Sequence, residues 1–127
     1  MADWIIVVDD DISNLKVAGK ILSSHNMRVT ALNSGQALLD YVRTNGAPDI
    51  VLLDIKMPVM NGFVTLEKYR VLEEELGIPK VPVIFLTADD DSTSEKKGFD
   101  MGVSDYIKKP FDPDILVRRV ENIINTH

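Results

Sequence analysis

The chain has 127 residues, 45% of them hydrophobic and 27% charged, and this composition predicts one soluble globular domain over residues 1–127. The absence of cysteine excludes disulfides and thiolate metal sites, and no apolar run approaches the ~18–20 residues of a membrane helix. The net charge of −6 disfavours direct nucleic-acid binding and favours cations or basic partners, and the lack of a signal-peptide pattern predicts a cytoplasmic protein.

Short apolar runs recur along the chain and predict β-strands. There are five of them, at Trp4–Val8, Arg28–Leu32, Ile50–Leu53, Val81–Leu86 and Asp105–Lys108. Three are continuous rather than alternating, which is typical of strands buried on both faces. Apolar residues spaced by three or four follow each run and predict five helices. This (βα)5 alternation predicts an α/β fold, a doubly wound parallel sheet with helices on both faces.

Local signals predict where the helices begin and end. Asp11 and Ser34 are suited to N-cap the first and second helices. Ser92 and Glu95 have capping-box spacing for the fourth, and Asp112 before a proline predicts the start of the fifth. The third helix has an inner stripe that ends before Gly77 and consists of Phe63, Leu66, Tyr69, Leu72 and Leu76. The run Glu73–Glu75 is interpreted as its solvated end.

Polar side chains follow four of the five predicted strands. Asp9 and Asp10 follow the first, Asp54 the third, Thr87 the fourth and Lys109 the fifth. Because ligands bind beyond the carboxyl ends of parallel strands, we expect these groups to converge. Clustered carboxylates stay ionised only beside positive charge, and oxygen ligands select a hard cation, Mg²⁺ or alternatively Mn²⁺. Three carboxylates would balance one divalent ion and one lysine.

Four motifs carry a resemblance to a known family. They are Val7-Val8-Asp9-Asp10, Asp54-Ile55-Lys56-Met57-Pro58 with Asn61-Gly62, Thr87-Ala88, and Tyr106-Ile107-Lys108-Lys109-Pro110-Phe111. In this order and at this spacing they resemble the receiver domain of two-component response regulators, over nearly the whole chain. The resemblance implies a flavodoxin-like sheet with strand order 2-1-3-4-5.

The resemblance also implies a function. Asp54 would accept a phosphoryl group from a histidine kinase or a histidine phosphotransfer protein. Asp9 and Asp10 would bind Mg²⁺ together with Asp54 and the backbone carbonyl of Lys56. Such a domain is a signalling switch that catalyses its own phosphorylation and slow dephosphorylation, and it is not a turnover enzyme.

Further residues would bind the phosphoryl group and transmit its presence. The family pattern selects Lys109, which precedes a proline in a cis peptide bond, rather than Lys108. Lys109 and the Thr87 hydroxyl would contact phosphoryl oxygens, and Tyr106 would turn inward as Thr87 moves. This would remodel the face formed by the fourth helix, fifth strand and fifth helix, through which the domain would control an output. Homodimerisation through this face is compatible with the sequence.

Two hypotheses concern this sequence in particular. Gly98 interrupts the fourth helix, either softening it or ending it early, and a softened helix would be less protected from hydrogen exchange than the first. Lys56 and Asp89 lie two residues beyond Asp54 and Thr87. If they pair across the mouth of the site, they would slow loss of the phosphoryl group modestly, and Lys56→Ala would shorten its lifetime.

Three other functions compete with the receiver interpretation. An aspartate-nucleophile phosphatase would carry a second acid two residues after Asp54, where this chain has Lys56. A flavodoxin-like flavin carrier would need a phosphate-binding loop after the first strand, where this chain has three aspartates. A pseudo-receiver that is never phosphorylated would lack acceptor residues that are all present here.

Overall fold

The computed structural model describes residues 2–88 and 92–126, with only the backbone described for Ser92 and Thr93. Strands and helices alternate throughout, as predicted. The strands are β1 Trp4–Val8, β2 Arg28–Leu32, β3 Ile50–Asp54, β4 Val83–Thr87 and β5 Asp105–Lys108. The helices are α1 Ile12–Ser23, α2 Gly35–Asn45, α3 Gly62–Leu76, α4 Ser92–Asp100 and α5 Pro113–Thr126.

The five strands form one parallel sheet in the order β2-β1-β3-β4-β5, which confirms the predicted topology. From β1 the chain first builds outward to β2 and then crosses to β3 on the other side of β1. A crevice therefore opens between the carboxyl ends of β1 and β3, at the topological switch point. Asp9 directly follows β1, and Asp54 is the last residue of β3.

Helices cover both faces of the sheet. Alternate β1 residues point to opposite sides, so that Ile6 and Val8 belong to one hydrophobic core and Ile5 and Val7 to the other. The first core is completed by apolar residues of α2 and α3, and the second by those of α1 and α5. Burial on both faces explains the continuous apolar runs in the sequence.

Several predicted helix ends are confirmed. The Asp11 carboxylate accepts a hydrogen bond from the Ser13 N–H at 2.8 Å, and the Ser34 hydroxyl accepts one from the Ala37 N–H at 3.0 Å. Gly77 ends α3 in the left-handed conformation, with φ of 63°. Asp112 caps α5 by accepting from the Asp114 N–H at 3.0 Å. The Ser92 side chain of the expected capping box lies outside the described residues.

The predicted bounds of two strands differ from the structure. The fourth strand spans Val83–Thr87 rather than Val81–Leu86, and the third strand also includes Asp54. Leu76, predicted on the inner stripe of α3, is 40% exposed because it lies in the last turn before the chain leaves the helix.

The interpretation of Glu73–Glu75 as a solvated helix end is wrong for Glu73, which is only 4% exposed. Its Oε2 accepts a hydrogen bond from the Val81 N–H, and its Oε1 accepts one from Arg70 Nη1, both at 2.8 Å. Arg70 Nη1 also donates to the Val81 carbonyl at 2.8 Å. These three residues form a clasp, the Glu73 clasp, between the last turns of α3 and the segment entering β4.

Gly98 does not end α4 early, because the helix continues to Asp100. A Cβ at this position would overlap the Tyr106 hydroxyl and approach Phe85 Cδ2 to 2.9 Å. The absence of a side chain therefore allows α4 to pack closely on β4 and β5. This packing role accounts for the glycine, and the proposed softness of α4 remains a prediction for hydrogen exchange.

Candidate phosphoacceptor and metal site

Two carboxylates are buried beside one lysine at the carboxyl edge of the sheet. Asp9 is 0% and Asp54 2% exposed. Lys109 Nζ donates to Asp54 Oδ1 at 3.0 Å and to Asp9 Oδ2 at 3.2 Å. Lys108, its neighbour, is exposed. The structure therefore brings together the predicted residues from the ends of β1, β3 and β5.

The local backbone explains how Asp9 and Lys109 reach this position. The Asp11 N–H donates to Asp9 Oδ1 at 2.9 Å, so the turn that begins α1 also orients the buried carboxylate. The Lys109 N–H donates to the Thr87 carbonyl at 2.7 Å, which joins the ends of β4 and β5. The Lys109–Pro110 peptide bond is cis, as predicted.

The start of α3 lies directly against the end of β3. The Gly62 N–H donates to the Ile55 carbonyl at 2.7 Å, and Asn61 caps the helix by accepting from the Val64 N–H at 2.9 Å. A Cβ at Gly62 would lie 2.5 Å from the Asp54 carbonyl oxygen. Only glycine therefore fits between α3 and the backbone of Asp54.

The buried charges perturb each other. The pKa of Asp54 is raised from 3.8 to about 6, chiefly by burial and also by the negative charge of Asp9, although the hydrogen bond and positive charge of Lys109 oppose this rise. Burial alone would lower the pKa of Lys109, but its bonds and attraction to Asp54 and Asp9 outweigh that cost and raise it. One lysine therefore compensates two carboxylates only in part.

Oxygen atoms of Asp9, Asp10 and Asp54 all lie within 4.8 Å of one another. Asp10 is exposed, whereas the other two are buried. Among the described residues, the buried Asp54 Oδ2 has no hydrogen-bond partner. Such an orphaned oxygen, within a cluster of oxygen donors, fits a hard divalent cation such as Mg²⁺, which binds carboxylates and retains several waters.

A cavity of about 30 Å³ lies beside Asp54. A cavity of that volume is large enough to admit a water molecule. Its lining includes two further predicted residues, Lys56 and Thr87, and the full set is Asp54, Ile55, Lys56, Leu86, Thr87, Ala88, Ser94 and Lys109. The hypothesised partner of Lys56, Asp89, lies outside the described residues.

Tyr106 lies away from the carboxylates, in the hydrophobic core between α4 and the sheet. It is 6% exposed, so its side chain is buried. Its hydroxyl lies 2.7 Å from the Ser94 carbonyl and 2.8 Å from the Glu95 carbonyl. Its ring packs on Phe99 and Phe85, with centroids 5.1 and 5.8 Å away. Because Ser94 lines the Asp54 cavity, α4 connects this tyrosine to the site.

Sequence reasoning missed two residues of the site. Asn14 Nδ2 donates to Asp9 Oδ2 at 3.2 Å from the first turn of α1. Ser94 lines the cavity from α4. Asn14 follows the predicted cap Asp11 by three residues, so its place in the first helical turn could have been deduced. Nothing in the sequence placed Ser94 beside Asp54.

The fold and the buried Asp–Asp–Lys arrangement define a class of protein that comparison with known families identifies. The model of the response regulator receiver domain matches residues 5–121. The chain therefore belongs to the receiver domains of two-component response regulators, which take phosphoryl groups from histidine kinases.

Relatives and solved structures agree with this family. The DNA-binding response regulator MtrA of Mycolicibacterium paratuberculosis is 38% identical over 94% of this chain and 50% of its own length. The hybrid signal transduction histidine kinase M of Dictyostelium discoideum is 31% identical over 94% of this chain and 5% of its own length.

Among solved structures, the receiver domain of Francisella response regulator 1452 has a TM-score of 0.83 at 27% identity, covering 98% of both chains. A CheY-like receiver domain protein of Methanospirillum hungatei has a TM-score of 0.86 at 25% identity, covering 99% of this chain and 96% of its own.

The chain spans half or less of the length of the MtrA protein and of kinase M. Within residues 2–88 and 92–126, no helix combines the length and apolar character needed to cross a membrane.

Proposed function

We propose that Asp54 of this receiver domain accepts a phosphoryl group from a phosphohistidine, in a reaction that depends on Mg²⁺ and switches the face formed by α4, β5 and α5. The observation that carries the proposal is the orphaned Asp54 Oδ2. A buried carboxylate oxygen without a partner is costly, and a site that retains it gains when a cation or a covalent bond engages that oxygen.

Asp9, Asp10 and Asp54, with the Lys56 carbonyl, would hold the metal ion. When bound, Mg²⁺ supplies positive charge next to the oxygens of the transferring phosphoryl group. Mn²⁺ would satisfy the same oxygen ligands. The carboxylate oxygens of Asp9, Asp10 and Asp54 lie within 4.8 Å of one another, which supports these three residues as ligands.

Asp54 and the side chains around it carry out the phosphoryl transfer. Asp54 attacks the phosphorus, a phosphorus–oxygen bond forms, and the bond to the partner imidazole breaks. The transition state of phosphoryl transfer is loose, with charge on its equatorial oxygens, so catalysis is mainly positioning and charge stabilisation. Lys109 turns from the carboxylates to one of these oxygens, and the Thr87 hydroxyl and nearby backbone N–H groups take another.

The switch would begin at Thr87. Phosphorylation changes the charge of Asp54 from about −1 to about −2 and adds acceptor oxygens. Thr87 is pulled toward them, and Tyr106 and α4 respond at the α4–β5–α5 face. Tyr106 is already inward in this structure, so phosphorylation would shift a population that includes this arrangement.

The domain over residues 1–127 would thus act as a switch that is phosphorylated and slowly dephosphorylated, and not as a turnover enzyme. Its partners would be a histidine kinase or a histidine phosphotransfer protein, and a second copy through the α4–β5–α5 face. The net charge of −6 disfavours nucleic-acid contact by this domain itself.

The test is phosphorylation by a small phosphodonor such as phosphoramidate with Mg²⁺, followed by intact mass. We expect a gain of one phosphoryl group, lost in Asp54→Asn and in chelator. Asp40→Asn, which removes an exposed carboxylate of α2, is the matched control and should retain the gain. A gain that persists in Asp54→Asn would disprove the assignment of the acceptor, and no gain in the unaltered protein would disprove the function.

A further inference from the structure

The Asp9 carboxylate is held by three donors. Its Oδ1 accepts from the Asp11 N–H at 2.9 Å. Its Oδ2 accepts from Asn14 Nδ2 and from Lys109 Nζ, each at 3.2 Å. Asp9 is completely buried, so protein groups rather than bulk water surround its carboxylate in this structure. Its orientation therefore depends on these three contacts.

One of the three donors is shared. Lys109 Nζ also donates to Asp54 Oδ1 at 3.0 Å, so the same ammonium serves both carboxylates. Under the proposed function, Lys109 turns toward a phosphoryl oxygen. Asp9 Oδ2 then loses its cationic donor at the stage when a metal ion needs this oxygen in place.

Asn14 is the donor that stays. It lies on α1, whose start is tied to the site because Asp11 both caps the helix and donates to Asp9. Its amide is neutral, so it does not repel a cation. A carboxylate oxygen has two lone pairs, and one amide hydrogen bond leaves the other lone pair for a metal ion.

From this arrangement we propose that Asn14 is a positioning residue. Together with Lys109 and the Asp11 N–H it holds the Asp9 carboxylate in its metal-binding orientation before phosphoryl transfer, and it stays in place when Lys109 leaves for the phosphoryl group. The proposal rests on the proposed function. It assigns Asn14 to the side chains that orient metal ligands through hydrogen bonds. Removing such a side chain typically lowers metal affinity about 10- to 100-fold. Asn14 acts through Asp9 and contacts neither the metal ion nor the phosphoryl group.

The test measures Mg²⁺ binding and phosphorylation separately in Asn14→Ala and in Asn14→Leu, which keeps the branched shape but has no donor. Calorimetry in the absence of phosphodonor should show the dissociation constant for Mg²⁺ raised about tenfold in both variants. The Mg²⁺ concentration for half-maximal phosphorylation should rise by the same factor, while the rate at saturating Mg²⁺ stays close to that of the unaltered protein. Loss of a residue that only supported the fold would not raise the half-maximal Mg²⁺ concentration while leaving the rate at saturating Mg²⁺ unchanged.

Asn122→Ala is the matched control, because it removes the same amide from an exposed position of α5. Thermal unfolding in chelator identifies any variant that is not folded, and the other substitution then serves. An unchanged Mg²⁺ dissociation constant in a folded Asn14 variant overturns the proposal, as does a lower rate at saturating Mg²⁺ with an unchanged half-maximal concentration. If the unaltered protein takes up neither Mg²⁺ nor a phosphoryl group, the proposed function fails, and this inference fails with it.

Discussion

Two buried carboxylates lie near opposite ends of α3, and their surroundings differ. Glu73, 4% exposed, uses Oε1 and Oε2 to accept from Arg70 and from the Val81 N–H. Asp54, 2% exposed, uses Oδ1 to accept from Lys109, whereas Oδ2 has no partner among the described residues. Each is paired with a base, but only the glutamate has both oxygens satisfied.

This difference separates a structural charge from a functional one. The hydrogen bonds of Glu73 join the last turns of α3 to the segment before β4, so its carboxylate stabilises the fold. Asp54 has a pKa raised to about 6 by burial, and Asp9 beside it has the same sign of charge. A buried group held in such an unfavourable state is typical of a site that awaits a ligand or a reaction.

The largest expected effect is at the Glu73 clasp. Glu73→Ala leaves the Val81 N–H and the Arg70 guanidinium without their acceptor, and losing one partner of a buried pair is strongly destabilising. We expect the free energy of unfolding to fall by about 3–4 kcal/mol, near the lower end for buried pairs because Arg70 is 20% exposed. Chemical denaturation at neutral pH without metal would measure this.

The folded fraction of Glu73→Ala should still be phosphorylated, because the clasp lies away from the carboxyl edge of the sheet. Glu75→Ala is the matched control, since Glu75 is 54% exposed and pairs only loosely with Arg43 at 3.5 Å. An exposed pair of this kind contributes about 0–1 kcal/mol. Equal losses in the two variants would contradict a structural role for the clasp.

The second prediction has the opposite sign. Asp54→Asn should stabilise the metal-free protein at neutral pH by about 2–3 kcal/mol, because each unit of a raised pKa corresponds to about 1.4 kcal/mol. Glu73→Gln, the same chemical change in the clasp, should instead destabilise it. Denaturation of the two variants in chelator checks the contrast, which would be broken if both substitutions moved the stability in the same direction.

The pH dependence gives an independent check of the same prediction. The pKa of Asp54 is higher in the folded than in the unfolded protein, so folding favours its protonated form. Ionising the buried Asp54 carboxylate destabilises the folded protein. This cost is absent below pH about 4, and it grows as the pH rises through about 6. The advantage of Asp54→Asn should therefore vanish at low pH and reach its maximum above pH about 7. If Asp54→Asn raised the free energy of unfolding equally at every pH, ionisation of the buried carboxylate could not be the cause.

The convergence of Asp9, Asp54 and Lys109 could be predicted, because each follows an apolar run and parallel strands end at one edge of the sheet. Glu73 was missed for a physical reason. The three consecutive glutamates have the same side-chain chemistry, so residue type alone does not show which of them turns inward. A signal existed all the same, since Glu73 lies four residues after Tyr69 on the inner stripe.

Glycines show the same limit of sequence reasoning. Gly98 was interpreted through helix propensity, yet the fit of α4 against the Tyr106 hydroxyl requires it. Propensity acts within a helix, whereas close approach depends on a neighbour far along the chain. Asn14 is a different case. The sequence places it in the first turn of α1, but its contact with Asp9 indicates a role in the site only once Asp9 and Asp54 are known to lie together.

The third prediction concerns Gly62, where α3 touches the functional end. A Cβ here would lie 2.5 Å from the Asp54 carbonyl oxygen and 2.8 Å from Ile55 Cα, so the helix must shift away from the site. We expect Gly62→Ala to lose about 1–2 kcal/mol of stability, as is typical of overpacking, and to be phosphorylated more slowly. Gly19→Ala, where a Cβ meets nothing within 4 Å, is the control and should do neither. A normal phosphorylation rate in Gly62→Ala would separate the packing of α3 from the function of Asp54.

The smallest expected effect distinguishes the two carboxylates by their response to a ligand. If Mg²⁺ binds beside Asp54, then Mg²⁺ at about ten times its dissociation constant should stabilise the folded protein by about 1.4 kcal/mol. The increment should be retained in Glu73→Gln and reduced in Asp54→Asn, because only the second substitution alters the metal-binding oxygens. Since the chain has a net charge of −6, added salt also stabilises it by screening, and sodium chloride at matched ionic strength measures that contribution. Equal increments in all three proteins, no larger than the effect of sodium chloride, would mean that the cation acts on the whole surface, and Asp54 would then be a buried charge without a bound ion to compensate it.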